Sequence, residues 1–454
     1  MVFPRFKYIS GDPPMGVGYL AAYLKKNLNI DVSIIDTTFK RSFTSVFNKL
    51  KELKPDILGI YSDGIMTHDA ITLADWAKNN KLYVIFGGPQ ATVLPEAFIA
   101  YADIVVRGEG ELILTEIIRN YGRKDFSHIR GIWWKKDGEI IKNSDSADHH
   151  FIDLDDIPFP QRESLPMERY LYYWNYLDAV DIARRGTTMM VSRGCPFSCS
   201  YCQPTIKEMF GEKLRFRSAQ NVAEEIRMLK EQYKIDGIFF HDDTFTVDHS
   251  WLKDFCRILE NDKLSILWGC NSRIDTVNED ILKMMYSAGL RNIHFGIESA
   301  SQRILDNVYN KKIKVEKIKE IISLARKIGI HTMGFFMLGA PSETEQEINR
   351  TISFAKSIRL EEASFSLTTP LVGTYLYNAI SENKRYSINH NYENFDYYSQ
   401  YTIKGGISHN RIKFLQLKAF LYFYLHPFRL KYIIKHLSSV RGLNKLLNKI
   451  RRAS

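Results

Sequence analysis

Along residues 1 to about 125, short apolar runs alternate with stretches whose apolar positions recur every three or four residues, so strands should alternate with amphipathic helices. The runs at 32–36, 57–62, 83–88 and 104–107 predict the strands, and the periodic stretches at 17–27, 68–79 and 111–121 predict the helices. This alternation marks a doubly wound α/β domain of Rossmann or flavodoxin-like type, a parallel sheet with helices on both faces. Gly131-Ile132-Trp133-Trp134-Lys135 then pairs across Lys136-Asp137-Gly138 with Glu139-Ile140-Ile141 as a hairpin. The acidic, Pro-containing stretch 144–166 carries neither period and reads as linker. From 186 to 377 longer βα units follow, with strands expected at 188–192, 237–241, 266–269, 292–296, 331–338 and 364–368. Six such units fit an open, partial (β/α)6 barrel better than a closed eight-fold one. Phe414, Leu417, Leu421, Leu425 and Phe428 recur at helical spacing, and Tyr432, Ile433, Leu437, Leu446, Leu447 and Ile450 continue the pattern. They predict a helical appendage whose apolar face packs on the barrel as far as about 437. The expected boundaries are 1–143 for the first α/β domain, 144–185 for the linker, 186–390 for the barrel and 391–454 for a basic helical C-terminal region.

Composition narrows this picture. With 454 residues and 45% hydrophobic content the chain is a globular protein of more than one domain. Its net charge of +10 sits in the tail, since residues 411–454 hold eleven Lys or Arg and no Asp or Glu. The rest is near neutral, so nucleic acid is not an expected partner. Five cysteines give no disulfide framework and suit a reducing cytoplasm. No signal peptide and no apolar run of ~20 residues is present, which leaves a soluble or peripherally bound protein. Basic amphipathic helices like those of the tail also lie on the inner face of anionic membranes, so peripheral contact there is a second expectation.

The chemistry is concentrated in Ser192-Arg193-Gly194-Cys195-Pro196-Phe197-Ser198-Cys199-Ser200-Tyr201-Cys202, on the loop after the first barrel strand. That is the carboxyl-end rim, where such folds place catalysis. Three thiolates on one loop can hold three corners of a [4Fe-4S] cluster and leave the fourth iron open. Structural zinc wants four ligands, and Cys256 and Cys270 are lone residues in apolar stretches that read as core. The Cys-x3-Cys-x2-Cys spacing, with an aromatic before the last Cys, resembles the signature of the radical S-adenosyl-L-methionine (SAM) superfamily. The resemblance implies that Cys195, Cys199 and Cys202 are the catalytic cluster ligands, that the open iron chelates SAM, and that reductive cleavage gives a 5′-deoxyadenosyl radical. It also implies that Tyr201 packs by the adenine and that Glu298, in Gly296-Ile297-Glu298-Ser299, bonds the SAM ribose. Arg273 has the charge to meet the SAM carboxylate or a substrate anion, and Ser299 and Gly339 complete the SAM rim. Asp242 and Asp243 either cap local backbone or face the cavity. Asn310-Lys311-Lys312 departs from the family's usual Asn-Lys-Gly, a change read as affecting only a turn.

In the first domain, Pro13-Pro14-Met15-Gly16, Gly87-Gly88-Pro89-Gln90 and Arg107-Gly108-Glu109-Gly110 together look like the cobalamin-binding domain that precedes the barrel in one radical SAM subfamily. By that resemblance Pro14, Gly16, Ser62, Gly87, Gly88, Gly108 and Glu109 would contact cobalamin. The Asp-x-His-x-x-Gly loop that ligates cobalt elsewhere is missing, and 10–16 contain no His, so no histidine is expected on the cobalt. His68 reads as a solvated first-turn residue. Only Met1 to Ser10 are available for the first strand, so either Val2 to Phe6 form a stunted strand or the true start lies upstream.

The combined expectation is a cobalamin-dependent radical SAM enzyme that takes hydrogen from an unactivated carbon and methylates it or closes a carbon–carbon bond. An apolar substrate, lipid or tetrapyrrole-like, is favoured. An electron donor such as ferredoxin or flavodoxin is the expected partner. The alternatives are a radical SAM methyltransferase or oxidoreductase acting on an antibiotic or peptide, or a non-catalytic cobalamin-binding regulator. Methylthio transfer would need further cysteines before Cys195, and there are none.

Overall fold

A computed structural model describes residues 1–144, 151–178, 180–181, 184–388 and 403–430, together with Ile434 and Leu443. The described residues form two compact units, Met1–Tyr170 with Pro204–Leu214, and Leu171–Gln203 with the described residues from Arg215 on.

The first unit is built on strands β1 (Val2–Phe3), β2 (Ile35–Asp36), β3 (Ile57–Tyr61), β4 (Tyr83–Gly87), β5 (Ile104–Val106), β6 (Ile132–Lys136) and β7 (Glu139–Lys142). Their order is β2-β1-β3-β4-β5-β6-β7, parallel as far as β5 and closed by the antiparallel β6–β7 hairpin. This is the flavodoxin-like order, with the ligand crevice expected where it reverses, between β1 and β3. The first strand is short: Val2 and Phe3 pair, and Val2 is fully buried between Ile35 and Ile60. The strand expected at 32–36 contracts to Ile35–Asp36. Helix Phe43–Leu53 is an addition to the expected elements, although Phe43, Val46, Phe47 and Leu50 recur at helical spacing; the Ser42 hydroxyl starts it by accepting from the Ser45 N–H at 3.3 Å. Part of the stretch read as linker packs inside this unit. Gln161 N–H donates to Gly18 O at 3.1 Å, and the Tyr170 hydroxyl donates to Asp36 Oδ2 at 2.5 Å.

In the second unit six parallel strands lie side by side in chain order: β8 (Gly186–Met189), β9 (Gly237–Phe240), β10 (Leu267–Ser272), β11 (Leu290–Glu298), β12 (His331–Leu338) and β13 (Glu362–Leu367). The first and last do not pair, so the barrel is open. Phe240, Trp268, Ile293, Phe295 and Phe336 on the outer face pack with Val222, Leu252, Phe255 and Ile348 of the covering helices in one continuous core. The inner face is different. Along β12 the outward Thr332, Gly334, Phe336 and Leu338 are buried, whereas His331, Met333, Phe335 and Met337 are only half-buried. One end of the lumen is floored by Trp174 and Tyr176. Trp174 lies against Gly186 and Gly237, where a Cβ on Gly237 would stand 2.8 Å from the indole, so larger residues there would displace the plug. Tyr176 stacks on Phe239 with ring centroids 4.1 Å apart, and its hydroxyl is 2.7 Å from His241 Nε2.

The final helix, His409–Tyr424, buries Ile412, Leu415, Ala419 and Phe423 on β13 and on helix Glu345–Ser357. The stripe that the periodicity picks out, Phe414, Leu417, Leu421 and Leu425, is therefore not the packed one; it is exposed. The continuation of that pattern through Tyr432, Ile433, Leu437, Leu446, Leu447 and Ile450 lies outside the described residues. No helix among the described residues is long and apolar enough to cross a membrane.

Candidate active site

The loop carrying the three cysteines follows β8 and is held largely by groups distant in sequence. Ser200 N–H donates to Tyr309 O at 2.9 Å and its hydroxyl to Val308 O at 2.6 Å. Asn310 Nδ2 donates to Ser198 O at 2.8 Å, and Gln203 Nε2 to Phe197 O at 3.1 Å. Leu376 N–H closes the far side on Ser200 O at 2.8 Å. Asp242 anchors the loop's root: its Oδ1 accepts from Val191 N–H, Ser192 N–H and the Ser192 hydroxyl at 3.0, 2.5 and 2.6 Å. Of the two adjacent carboxylates, Asp242 is thus the capping one.

Cys199 is buried, with Cys195 and Cys202 half-buried beside it. Burial pushes the Cys195 and Cys202 thiols up, and negative charge on Asp243 and Cys199 pushes both further. Cys195 and Cys202, so raised, become stable thiolates only beside strong positive charge. An iron–sulfur cluster supplies such charge, so the donor set fits one. Among the described residues no three His, Cys, Asp or Glu side chains converge on a point as they would for a single metal ion. A cubane does not ask for that, since each thiolate binds a different iron. Asp243 stands next to this group, accessible to water; its protein surroundings and the Asp242 charge push it up to about 6.

Glu298 ends β11 in a left-handed conformation, φ +66°, at a register shift between β11 and β12. Its Oε1 accepts from Lys311 Nζ at 3.0 Å and from the Tyr201 hydroxyl at 3.1 Å, and Lys311 Nζ also donates to that hydroxyl at 3.0 Å. Lys311 and Glu298 are 5% and 8% exposed, a buried ion pair. A Cβ on Gly296 would lie 2.6 Å from Glu298 Oε1 and 2.7 Å from Lys311 Nζ, so a larger residue there would displace this pair. Sequence reasoning missed Lys311 and treated its run as a turn. The signal was a lysine in a stretch that also supplies Tyr309 and Asn310 to the cysteine loop.

Arg273 is committed to protein partners. It makes a bidentate pair with Asp275 at 2.9 and 2.8 Å, donates to Lys311 O at 2.8 Å and to Cys199 Sγ at 3.4 Å, and lies 3.7 Å over the Phe197 ring. Its charge is therefore delivered to the cysteine loop. Ser299 is fully buried, its hydroxyl 3.3 Å from Thr351 Oγ1 and accepting from Ser301 N–H at 3.0 Å. Gly339, φ +83°, donates its N–H to Glu343 Oε2 at 2.8 Å, and Ala340 does so at 3.0 Å. Burial pushes Glu343 up to about 7.

In the first unit the residues singled out from sequence fall at the carboxyl edge of the parallel sheet. Pro14 precedes helix Met15–Asn27, which begins with Gly16 in its first turn. Ser62 follows β3 and is fully buried, its N–H donating to Gly87 O at 2.9 Å. Gly88 needs to be glycine for internal reasons: φ is +106°, and a Cβ would lie 2.6 Å from Ser62 O. Gly87 and Gly16 do not, since a Cβ on either meets nothing within 4 Å. Open space over a strand-end glycine is a cradle for an outside group, which fits a bulky ligand there. Gly108, φ +80°, donates its N–H to Thr92 Oγ1 at 3.1 Å, and Glu109 opens helix Gly110–Asn120. His68 is exposed in the first turn of helix Thr67–Asn79.

Comparison with known proteins agrees with this layout. The radical SAM superfamily profile matches residues 189–355, and the B12 binding domain profile matches residues 12–118. An uncharacterized methyltransferase of Pyrococcus horikoshii is 34% identical over 95% of this chain and 91% of its own. The anaerobic magnesium-protoporphyrin IX monomethyl ester cyclase of Rubrivivax gelatinosus is 31% identical over 79% of this chain and 64% of its own. Among solved structures, the radical SAM methyltransferase TsrM of Kitasatospora setae, with cobalamin and a [4Fe-4S] cluster bound, shares the fold. The TM-score is 0.70 at 17% identity, covering 86% of this chain and 79% of that one. On these grounds the chain belongs to the cobalamin-binding radical SAM enzymes.

Proposed function

We propose that this protein is a cobalamin-dependent radical SAM enzyme that methylates an unactivated carbon of an apolar substrate. The observation that carries the reading is the constellation of Cys195, Cys199 and Cys202 with Arg273, Lys311, Tyr201 and Glu298 at one barrel rim, in which Cys199, Arg273, Lys311 and Glu298 are buried. In this reading the three thiolates hold the cluster, which when bound supplies the electron that cleaves SAM, while cobalamin on the first unit carries the methyl group. Arg273 balances thiolate charge at Cys199. Lys311 and Tyr201 both reach Oε1 of Glu298 and fix the carboxylate, and Oε2 is the oxygen assigned to the ribose hydroxyls. Pro14, Gly16, Ser62, Gly87, Gly88, Gly108 and Glu109 form the cobalamin cradle, without a histidine toward cobalt. Half-buried Met333, Phe335 and Met337 on the inner face of β12 favour an apolar substrate in the lumen. Ring closure in place of methyl transfer is the second reading, favoured by the likeness to the protoporphyrin ester cyclase.

Anaerobic reconstitution with iron and sulfide tests the assignment. The wild type should become brown and release 5′-deoxyadenosine from SAM under reduction, and replacing Cys195, Cys199 and Cys202 together by Ala should abolish both. Undiminished SAM cleavage by the triple variant would overturn it.

A further inference from the structure

We propose that the solvent-facing stripe of the final helix docks on an anionic lipid bilayer. Helix His409–Tyr424 has two apolar faces. Ile412, Leu415, Ala419 and Phe423 make the first, buried on the barrel. Phe414, Leu417, Leu421 and Leu425 make the second, and they are 53%, 57%, 47% and 64% exposed. Leu421 lies nine positions past Ile412, about 180° round a helix of ~3.6 residues per turn, so the second stripe is diametrically opposite the first. Packing on the barrel accounts for one face, and among the described residues nothing packs over the other. Phe414, Leu417, Leu421, Tyr422 and Leu425 together line a surface groove of about 520 Å³.

What flanks the stripe selects the partner. Lys418 and Lys356 border the groove, each with its ammonium over the Tyr422 ring at 5.5 and 4.8 Å, and Lys413 lies on the opposite flank. Arg411 is paired with Glu345. The helix itself carries no acidic residue, and eleven Lys or Arg without one Asp or Glu fill residues 411–454. An apolar stripe between basic flanks matches the acyl chains and anionic headgroups of a bilayer in cross-section. A second copy of this chain would bring the same lysines face to face.

The full-length, cluster-loaded protein is mixed with vesicles of equal parts phosphatidylglycerol and phosphatidylcholine, or of phosphatidylcholine alone, and separated by flotation. Wild type should partition to the anionic vesicles, and the partition should fall as salt rises from about 0.1 M toward 1 M and the screening length shrinks from ~10 to ~3 Å. Replacing Leu417, Leu421 and Leu425 together by Ser should lower the partition at least about tenfold while SAM cleavage is unchanged, since each Ser forfeits several buried methylenes. Lys413→Gln with Lys418→Gln should remove much of the preference for anionic over neutral vesicles. Equal partition of the Ser variant and wild type would overturn the proposal. So would equal binding to both vesicle types, or a vesicle-free dimer in sedimentation that the Ser substitutions dissolve.

Discussion

Glu298 shows how a single residue joins fold to chemistry. Its left-handed backbone and the register shift beside it turn the carboxylate onto Lys311, thirteen positions later, with both side chains nearly dry. A buried pair is costly to break from one side, because the partner left behind keeps its charge without compensation. Glu298→Gln, which keeps the shape and loses the charge, should therefore destabilise the protein by about 3–5 kcal/mol. It should also weaken SAM binding roughly ten- to a hundredfold, the worth of about 1.5–3 kcal/mol for a charge-assisted bond. Adding Lys311→Met removes the stranded ammonium, so urea unfolding should recover most of the stability while calorimetry shows SAM binding still weak. Tight SAM binding by Glu298→Gln would take the residue out of the site. The Glu was legible in Gly296-Ile297-Glu298-Ser299 because that run is a local signature. Lys311 was not, because its meaning depends on a backbone turn that no spacing encodes.

At the scale of elements, the ends of strands carry the argument, and neighbouring glycines there have different reasons to exist. Gly88 is demanded by the protein: its φ of +106° and the carbonyl of Ser62 both exclude a side chain. Gly87 is free of internal constraint, with nothing within 4 Å of a Cβ. From sequence the pair read as one motif, since a periodicity or a dipeptide cannot say which glycine bends the chain and which one leaves room. The substitutions separate them. Gly88→Ala should cost about 1–3 kcal/mol in urea unfolding, the scale for a strained backbone position, whether or not cobalamin is added. Gly87→Ala should unfold like wild type and bind hydroxocobalamin at least about tenfold more weakly, the scale of losing ~1.4 kcal/mol of close contact. A Gly87→Ala variant that retains full cobalamin affinity would move the corrinoid away from β4. The cysteine loop follows the same logic. Its thiols were plain in the spacing, whereas the backbone bonds from Val308, Tyr309 and Leu376 that shape it come from more than a hundred residues away.

Over the whole molecule, the alternation of strand and helix signals was legible because each sheet has one strongly apolar strand after another. What escaped were places where a segment serves a neighbour it does not adjoin in sequence. Residues 151–170 looked like linker yet pack in the first unit, and Trp174 fills the space that Gly186 and Gly237 leave in the second. The final helix presented the opposite difficulty, with an exposed stripe as apolar as its buried one. The two units nonetheless keep separate hydrophobic cores, one around Val2, Leu58, Val84 and Phe86, the other around Phe240, Ile293, Phe295 and Phe336. Separate cores should unfold as separate cooperative units. The cysteines and the proposed cobalamin cradle lie on different ones, so replacing Cys195, Cys199 and Cys202 by Ala should leave cobalamin binding within about threefold of wild type, under ~0.7 kcal/mol. Cobalamin at a hundred times its Kd should stabilise the first unit by about 2.7 kcal/mol in that variant as in wild type. Hydrogen exchange reads this directly: the loops after β1, β3 and β4 should gain protection from hydroxocobalamin even where no cluster can form. If the triple variant loses cobalamin altogether, the cradle depends on the cluster loop, and the division into two independently stable units is wrong.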